Sequence, residues 1–548
     1  MTGGVELPAS DAAVADDAVC LAIELVERSG VAASVEDALR TTTGRKRSVS
    51  VLAVLVALVV LAMDDRPLLL NSVTDVLFRR LPERHRARLS ITATAPDRRS
   101  FLAAYRRVRY CFHAICSTVD PSPLPKNRCL TDDELAKATK QMNAADCDAA
   151  RGRLESLVNA LIEASVSVLS DEERSAHDGA VGLDATPVAL FSRGASKRTG
   201  RGASDPDGAW YVRGGDHRDA EDPSTGKTRT RIAWALEATI VTMAPPPGAA
   251  TTHPNLAVGL ALTRPGEDPG GTAARVLASI RSRGHRAGYL GADRAYTAAL
   301  PERFHLPVAA LGYSLVMDYR VDQLGIQANS GGATLVEGTW YCPSIPDALL
   351  SATADLRAGT IDRVTYQARI AARADYRLKR KDGPDADGYE RRSCPALGDH
   401  PRLMCPLRES SLSPRDGRMK VLDPPAEPPK VCGQTAITIA PDVGVRHRQT
   451  LSFGTEQWAR RYATLRNTIE GLNGFVKDPA HEALAQPARR RVRGIAAQSL
   501  FCALLVVAAN LRKIRAYRAV VADGRTAEIA ARAKRRRIRL PDHQPATG

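Results

Sequence analysis

Between residues 178 and 318 the spacing of apolar residues alternates between strand-like and helix-like. That succession restricts the fold more than anything else in the chain. Val181 to Phe191 reads as a strand, and Arg231 to Met243 alternates apolar residues at Ile232, Trp234, Leu236, Ala238 and Ile240. Leu256 to Leu262 reads as a third strand. Gly270 to Thr272 then opens a helix with Val276, Leu277 and Ile280 on one side and Thr272 as its N-cap. After a tight turn at Gly284 come a fourth strand, Ala287 to Asp293, a short helix, and a fifth strand, Pro307 to Met317. The pattern predicts an α/β fold, a mixed sheet flanked by helices.

The remaining segments are assigned around this unit. Residues 1–45 are expected to form a poorly ordered segment that turns helical toward its end, and 46–170 to form a helical DNA-binding domain. Residues 178–318 supply the first part of the core, 319–452 an inserted β-rich subdomain, 453–520 the C-terminal helices of the core, and 521–548 a basic tail. The apolar runs Val51 to Met63 and Leu500 to Ala509 fall short of the roughly 20 residues that span a bilayer. They are expected to be buried core helices, with no membrane partner.

Lys and Arg number 77 against 61 Asp and Glu, a net charge of +16, which points to a polyanionic partner, most commonly nucleic acid. Arg79, Arg80, Arg84, Arg86 and Arg88, then Arg106, Arg107 and Arg109 with Tyr105 and Tyr110, are placed to grip phosphates or to form a solvated helix face. The loop Arg193, Lys197, Arg198, Arg201 and the tail Lys534 to Leu540 have the same character. The N-terminus lacks the basic start of a secretory signal, so the ten cysteines are expected to be reduced in a cytoplasmic protein. Cys342, Cys394, Cys405 and Cys432 lack close zinc spacing; buried free thiols are the first reading and structural Zn²⁺ the second. For Trp340 and Tyr341, packing is preferred over stacking on a base.

Three acids carry the chemistry: Asp184 in the first strand, Asp293 at the end of the fourth, and Glu470 on a C-terminal helix. Relative to Tyr462, residues Arg466, Glu470 and Lys477 lie at about 40°, 80° and 60° around a helix, and Asn473 at about 20°, so all share one face. Gly471 and Gly474 weaken that helix, which favours a close approach there. Asp318 would neighbour the site; Glu237 is assigned to an edge or solvent-facing position.

The text around these residues resembles the DDE transposases of bacterial insertion sequences. The matching stretches are LDATPV at 183–188, GADRAY at 291–296, and the Tyr-Arg-Glu-Lys set Tyr462, Arg466, Glu470 and Lys477. The family's tyrosine stands three residues before its arginine, whereas Tyr462 stands four before Arg466. The resemblance implies an RNase H-like core in which Asp184, Asp293 and Glu470 are catalytic and bind two Mg²⁺ or Mn²⁺ ions. It also implies that Tyr462, Arg466, Lys477 and Arg294 contact DNA. The implied partners are double-stranded DNA, as terminal inverted repeats and as target, and a second copy of the chain in a homodimer at the bacterial nucleoid. Two rivals are a non-catalytic DNA-binding copy and a plain RNase H-like nuclease.

Overall fold

The computed structural model describes residues 13–40, 47–94, 97–126, 128–213, 231–246, 253–413 and 417–524. Helices come first. α1 (Asp16–Ser29) and α2 (Val31–Ala38) turn on Gly30, whose φ of 68° suits glycine. α3 (Val51–Met63) starts where the Ser50 hydroxyl accepts a bond from the Ala53 amide, and it is buried along nearly its whole length. α4 (Arg98–Val119) and α5 (Ala144–Val166) are capped in the same way by Asp97 and Asn143. Two expectations change here. Residues 16–38 are helical, as expected of the later part of this segment, but the helix starts early and Val19, Ile23 and Val26 enter the core with α3 rather than lying in a poorly ordered segment. Residues 46–170 also do not stand apart, because one apolar cluster joins these helices to the sheet and to the C-terminus.

The sheet contains β1 (Val181–Ala189), β2 (Ala209–Arg213), β3 (Arg231–Met243) and β4 (Ala257–Thr263). α6 (Pro269–Ser282) leads to β5 (Tyr289–Ala292), and α7 (His305–Ala310) to β6 (Ser314–Val316). β3 is antiparallel to both β1 and β4, while β1, β5 and β6 run parallel. The spatial order is β4-β3-β1-β5-β6, with β2 pairing the start of β3. The Asp268 carboxylate, not Thr272, caps α6, accepting from the Gly271 amide; Thr272 lies inside the helix. The expected fifth strand is shorter, since Pro307 to Ala310 belong to α7. Proline at that position has its φ already set for a helix.

The insertion is mixed rather than β-rich. β7 (Ile326–Ser330), β8 (Ala333–Val336) and β9 (Thr339–Tyr341) form one small sheet, followed by α8 (Arg363–Tyr376). β10 (Lys379–Arg380) and β11 (Glu390–Ser393) precede β12 (Leu403–Met404), β13 (Met419–Lys420) and β14 (Ile437–Ile439). β11 pairs both β10 and β14, and β12 pairs β13. Trp340 and Tyr341 are buried, so they pack as expected. The chain returns to the sheet with α9 (Glu456–Lys477) and α10 (Ile495–Ala522). Among the described residues α10 alone is long and apolar enough to cross a membrane, yet 94% of its apolar window is buried within the fold.

Two buried asparagines fasten the helices to the free edge of β4. Asn159 of α5 donates to Leu260 O (3.0 Å) and accepts from Leu260 N (2.9 Å). Asn510 of α10 makes the same pair with Ala257, at 2.9 Å each way. Each side-chain amide takes the place of a neighbouring strand, which removes an exposed edge.

Candidate functional site

The parallel strands gather three acids. Leu183 is level with Ala292, and Gly291 with Val316. The pairing stops there: Asp293 follows β5 directly and Asp318 comes two residues after β6, so with Asp184 they gather where the parallel pairing ends. Tyr296 senses both Asp184 and Asp293, and Tyr462 both Asp318 and Asp293. Neighbouring strands lie about 4.8 Å apart, so the row is short. Side chains alternate between sheet faces, so Gly182, Asp184 and Gly291 project toward one side. That side is covered by α9.

Two glycines allow α9 to lie close. A Cβ at Gly182 would come within 2.9 Å of Leu465 O, and one at Gly291 within 2.5 Å of Leu465 Cβ. Gly182 and Gly291 are themselves register partners, so the two strands offer Leu465 a smooth seat. Gly471 and Gly474 have nothing within 4 Å; the close approach expected there falls on the strand glycines instead. We expect Gly291→Ala to lift α9 and cost about 1–3 kcal/mol by overpacking. A thermal melt unchanged from wild type would contradict this.

The polar face of α9 then meets the row. Asn473 is buried, and its Nδ2 donates to Asp184 Oδ2 at 2.8 Å, while Asp184 Oδ1 accepts from the Ala185 amide at 2.8 Å. Asn473 Oδ1 is buried without a partner. Tyr462 stacks on Trp458 with ring centroids 5.0 Å apart, and its hydroxyl accepts from Arg466 Nη1 at 3.4 Å. Burial raises the Tyr462 hydroxyl above its ordinary value, with Asp318 and then Asp293 adding to the effect against Arg466. Arg466 Nε donates to Glu470 Oε1 at 2.8 Å. Burial opposes the Arg466 charge, but hydrogen bonds to Glu470 and Tyr462 outweigh it and hold its pKa above the ordinary value. Lys477 is half-buried in the last turn of α9, and the Arg294 side chain lies outside the described residues.

Tyr296 closes the other side of the row. Burial raises its hydroxyl well above the usual range, and Asp184, Glu237 and Asp293 push in the same direction. Sequence reasoning quoted Tyr296 within a motif and gave it no role; its burial follows only from tertiary packing. Glu237 is half-buried in β3, between β1 and β4, rather than at an edge or facing solvent. Burial raises its carboxyl, opposed by the Gly266 amide.

Asp184, Asp293 and Glu470 share this region, but their oxygens do not close to within 4.8 Å of one another. Among the described residues the one group of three that does so is Asp16, Cys20 and His85. There His85 Nε2 sits 2.7 Å from Asp16 Oδ1, and Arg84 pairs with the other Asp16 oxygen. A guanidinium on a carboxylate competes with any cation, so that group reads as an ion-pair cluster. The donors at the acid row are all oxygen, and the unpartnered Asn473 Oδ1 adds one more, a set that suits a hard divalent cation.

The expected phosphate-gripping arginines divide. Arg79 pairs with Asp75 (3.1 Å), Arg80 with Asp64 (3.7 Å) and Arg88 with Glu27 (2.9 Å), and Arg86 donates to Leu81 O. These side chains serve the fold. Arg106, Arg109 and Tyr110 face solvent, as do Arg193, Arg198 and Arg201. The tail beyond residue 524 lies outside the described residues.

A denser basic surface lies at the insertion. A cavity of ≈ 860 Å³ is lined by Arg377, Lys379, Arg380, Arg392, Arg402 and Arg448, with Glu390 opposing them. Burial, and after it the neighbouring arginines, hold Lys379 and Arg402 below their ordinary values. An anion placed there would relieve that crowding. Replacing Arg380 with Ala is expected to weaken binding of a polyanion such as heparin and to reduce the slope of log affinity against log salt by about one. A salt titration of fluorescence anisotropy measures both.

The fold is thus a mixed α/β protein with a helix-covered sheet and an acid row at the ends of its parallel strands. No family model, curated protein or solved structure matches this chain.

Proposed function

We propose that this chain is a DDE-type transposase that binds the terminal inverted repeats of an insertion sequence, cleaves DNA there, and joins the 3′ ends to target DNA. The observation that carries the proposal is that Asp184, next to the last residue paired between β1 and β5, and Asp293, directly after β5, gather beneath the helix that bears Glu470 and whose Asn473 bonds Asp184. The strand order, with one antiparallel strand between β1 and β4, is the order expected of an RNase H-like core. The basic cavity and the net charge of +16 support a DNA partner.

In this reading Asp184, Asp293 and Glu470 hold Mg²⁺ or Mn²⁺, two ions in all. Bound there, the metal supplies charge stabilisation for a phosphoryl transfer. Asn473 fixes the orientation of the Asp184 carboxylate. Arg466 holds Glu470 in place until DNA arrives, and its planar fork then suits a phosphate. Stacking on Trp458 keeps Tyr462 rigid beside the acids, where its hydroxyl can donate to a phosphate oxygen. Gly471 and Gly474 leave the helix surface beside Glu470 bare for a close backbone. The chain would act in the cytoplasm as a homodimer holding two DNA ends.

One observation favours a second reading, a non-catalytic DNA-binding protein: Glu470 is engaged by Arg466, and among the described residues no three carboxylates close on one point. Strand-transfer assays with pre-cut ends separate the possibilities. Joined products support a transposase; nicking without joining indicates a plain RNase H-like nuclease. Salt-dependent binding without any nicking in Mg²⁺ or Mn²⁺ indicates a binding protein.

A further inference from the structure

The four cysteines of the insertion come from segments up to 90 residues apart (432 − 342), and all four are buried with free thiols. Cys342, Cys394 and Cys405 belong to one apolar cluster; Cys432 belongs to the adjoining one, and Leu407 packs against both. The backbone explains the convergence. Leu378 N donates to Trp340 O, and Cys342 N to Tyr376 O, so the two segments run side by side. Lys379 pairs with Ser393, which brings Cys394 alongside. Arg408 Nη2 reaches Gln434 O at 2.6 Å, tying the Cys405 turn to the Cys432 segment.

Three of the four cysteines sit in the same local structure. Each of Cys342, Cys394 and Cys405 is followed by proline, and its carbonyl accepts from the amide three residues on, at 3.1, 3.1 and 2.9 Å. Proline at the second position presets such a turn. In two of them the next free amide, of Ser344 or Ala396, turns back to the cysteine sulfur. The thiols also sense one another: Cys342 feels Cys394 and Cys432, Cys394 feels Cys405, and Cys432 feels Cys394 and Cys405. Arg408 Nε and Ser344 Oγ are buried with no hydrogen-bond partner, and each lies beside these sulfurs. Burial pushes Cys342 up to about 12 and Cys432 up to about 11, and raises Cys394, so the metal-free groups are thiols; the donors aimed at sulfur suit the thiolates that a bound cation would create.

We propose that Cys342, Cys394, Cys405 and Cys432 form a tetrathiolate site for one structural Zn²⁺ that staples the insertion. Small two- and three-stranded sheets like those here gain little from a core alone, which is where metals serve as staples. No three of these sulfurs lie within 4.8 Å of one another. Zinc holds each sulfur at about 2.3 Å, so sulfurs sit about 3.8 Å apart around it, and binding would draw the cluster inward. Each thiol gives its proton to solvent as it binds. Arg408 then offsets part of the negative charge of the four thiolates.

The full-length chain, expressed with added zinc, is expected to retain close to one zinc per chain through gel filtration, read by mass spectrometry of the metal. Exchange with Co²⁺ alone should give an intense near-ultraviolet sulfur-to-cobalt band and the visible bands of a tetrahedral site. Cys394→Ser should lose the zinc, whereas Cys129→Ser, at an exposed thiol, should keep it. Arg408→Gln should surrender zinc to a chelator about tenfold more readily. A folded wild-type chain with neither zinc nor a cobalt–thiolate band would overturn the site, as would unchanged zinc in Cys394→Ser. Should Cys394→Ser not fold, the wild-type measurements decide alone. None of these readouts depends on DNA cleavage.

Discussion

Asp184→Asn is expected to lower Mg²⁺-dependent cleavage of DNA ends at least about a thousandfold, close to 4 kcal/mol of transition-state stabilisation. The substitution is nearly isosteric: the Ala185 amide can still donate to the remaining carbonyl oxygen, and Asn473 can flip its amide so that its unpartnered Oδ1 accepts from the new Nδ2. The fold should therefore survive while the charge is lost. Glu470→Gln is expected to fall by a similar factor, because it removes another charge from the same cation site. It also frees Arg466 from its 2.8 Å partner, so DNA binding should hold or strengthen. Asp318→Asn separates two versions of the site. Tyr462 senses both Asp318 and Asp293, but Asp318 is also paired with Arg357 at 3.7 Å. A small effect there leaves Glu470 as the third acid; a loss as large as that of Asp184→Asn would transfer the role to Asp318. Equal cleavage by wild type and Asp184→Asn would remove the catalytic proposal.

Asn510→Ala is expected to destabilise the protein by about 2–4 kcal/mol, among the largest effects of any single surface-distant change. The loss orphans both Ala257 N and Ala257 O, which are buried behind α10. It also removes a 2.9 Å bond from Asn510 Nδ2 to Ser165 Oγ, which ties α10 to α5. Each buried group left unpaired costs about 1–3 kcal/mol. Asn159→Ala should cost a comparable amount at Leu260, and the double variant roughly the sum. Urea unfolding, together with hydrogen exchange at the Ala257 and Leu260 amides, measures both. Unaltered midpoints would show that water or a shifted helix satisfies the edge.

Much of the middle of the chain was readable from pattern. Alternating residues marked β3, a continuous apolar run marked β4, and the helical phase of Tyr462, Arg466, Glu470 and Asn473 marked α9 before any contact was known. The errors were of two kinds. Short elements were misjudged where proline or a cap decided: α7 replaced half of the fifth strand, and Asp268 replaced Thr272. Partners distant in sequence could not be seen at all. The arginines from Arg79 to Arg88 looked like a DNA surface until Asp75, Asp64 and Glu27 were found beside them. For the four insertion cysteines the irregular spacing favoured buried thiols over zinc; only the crossing of β9, β10 and β11 and the Arg408–Gln434 contact bring their segments together.

Periodicity and residue type acting over a few positions were enough to specify the longer strands and helices, the acids in or just after strands, and the polar face of α9. They act within one element, where geometry repeats. Whether Asp184, Asp293 and Asp318 would gather, whether Leu465 would find a seat on Gly182 and Gly291, and whether Asn159 and Asn510 would close the β4 edge were decided by register and packing between elements. Those depend on pairings across tens to hundreds of residues, and a one-residue slip would have turned every acid to the opposite face.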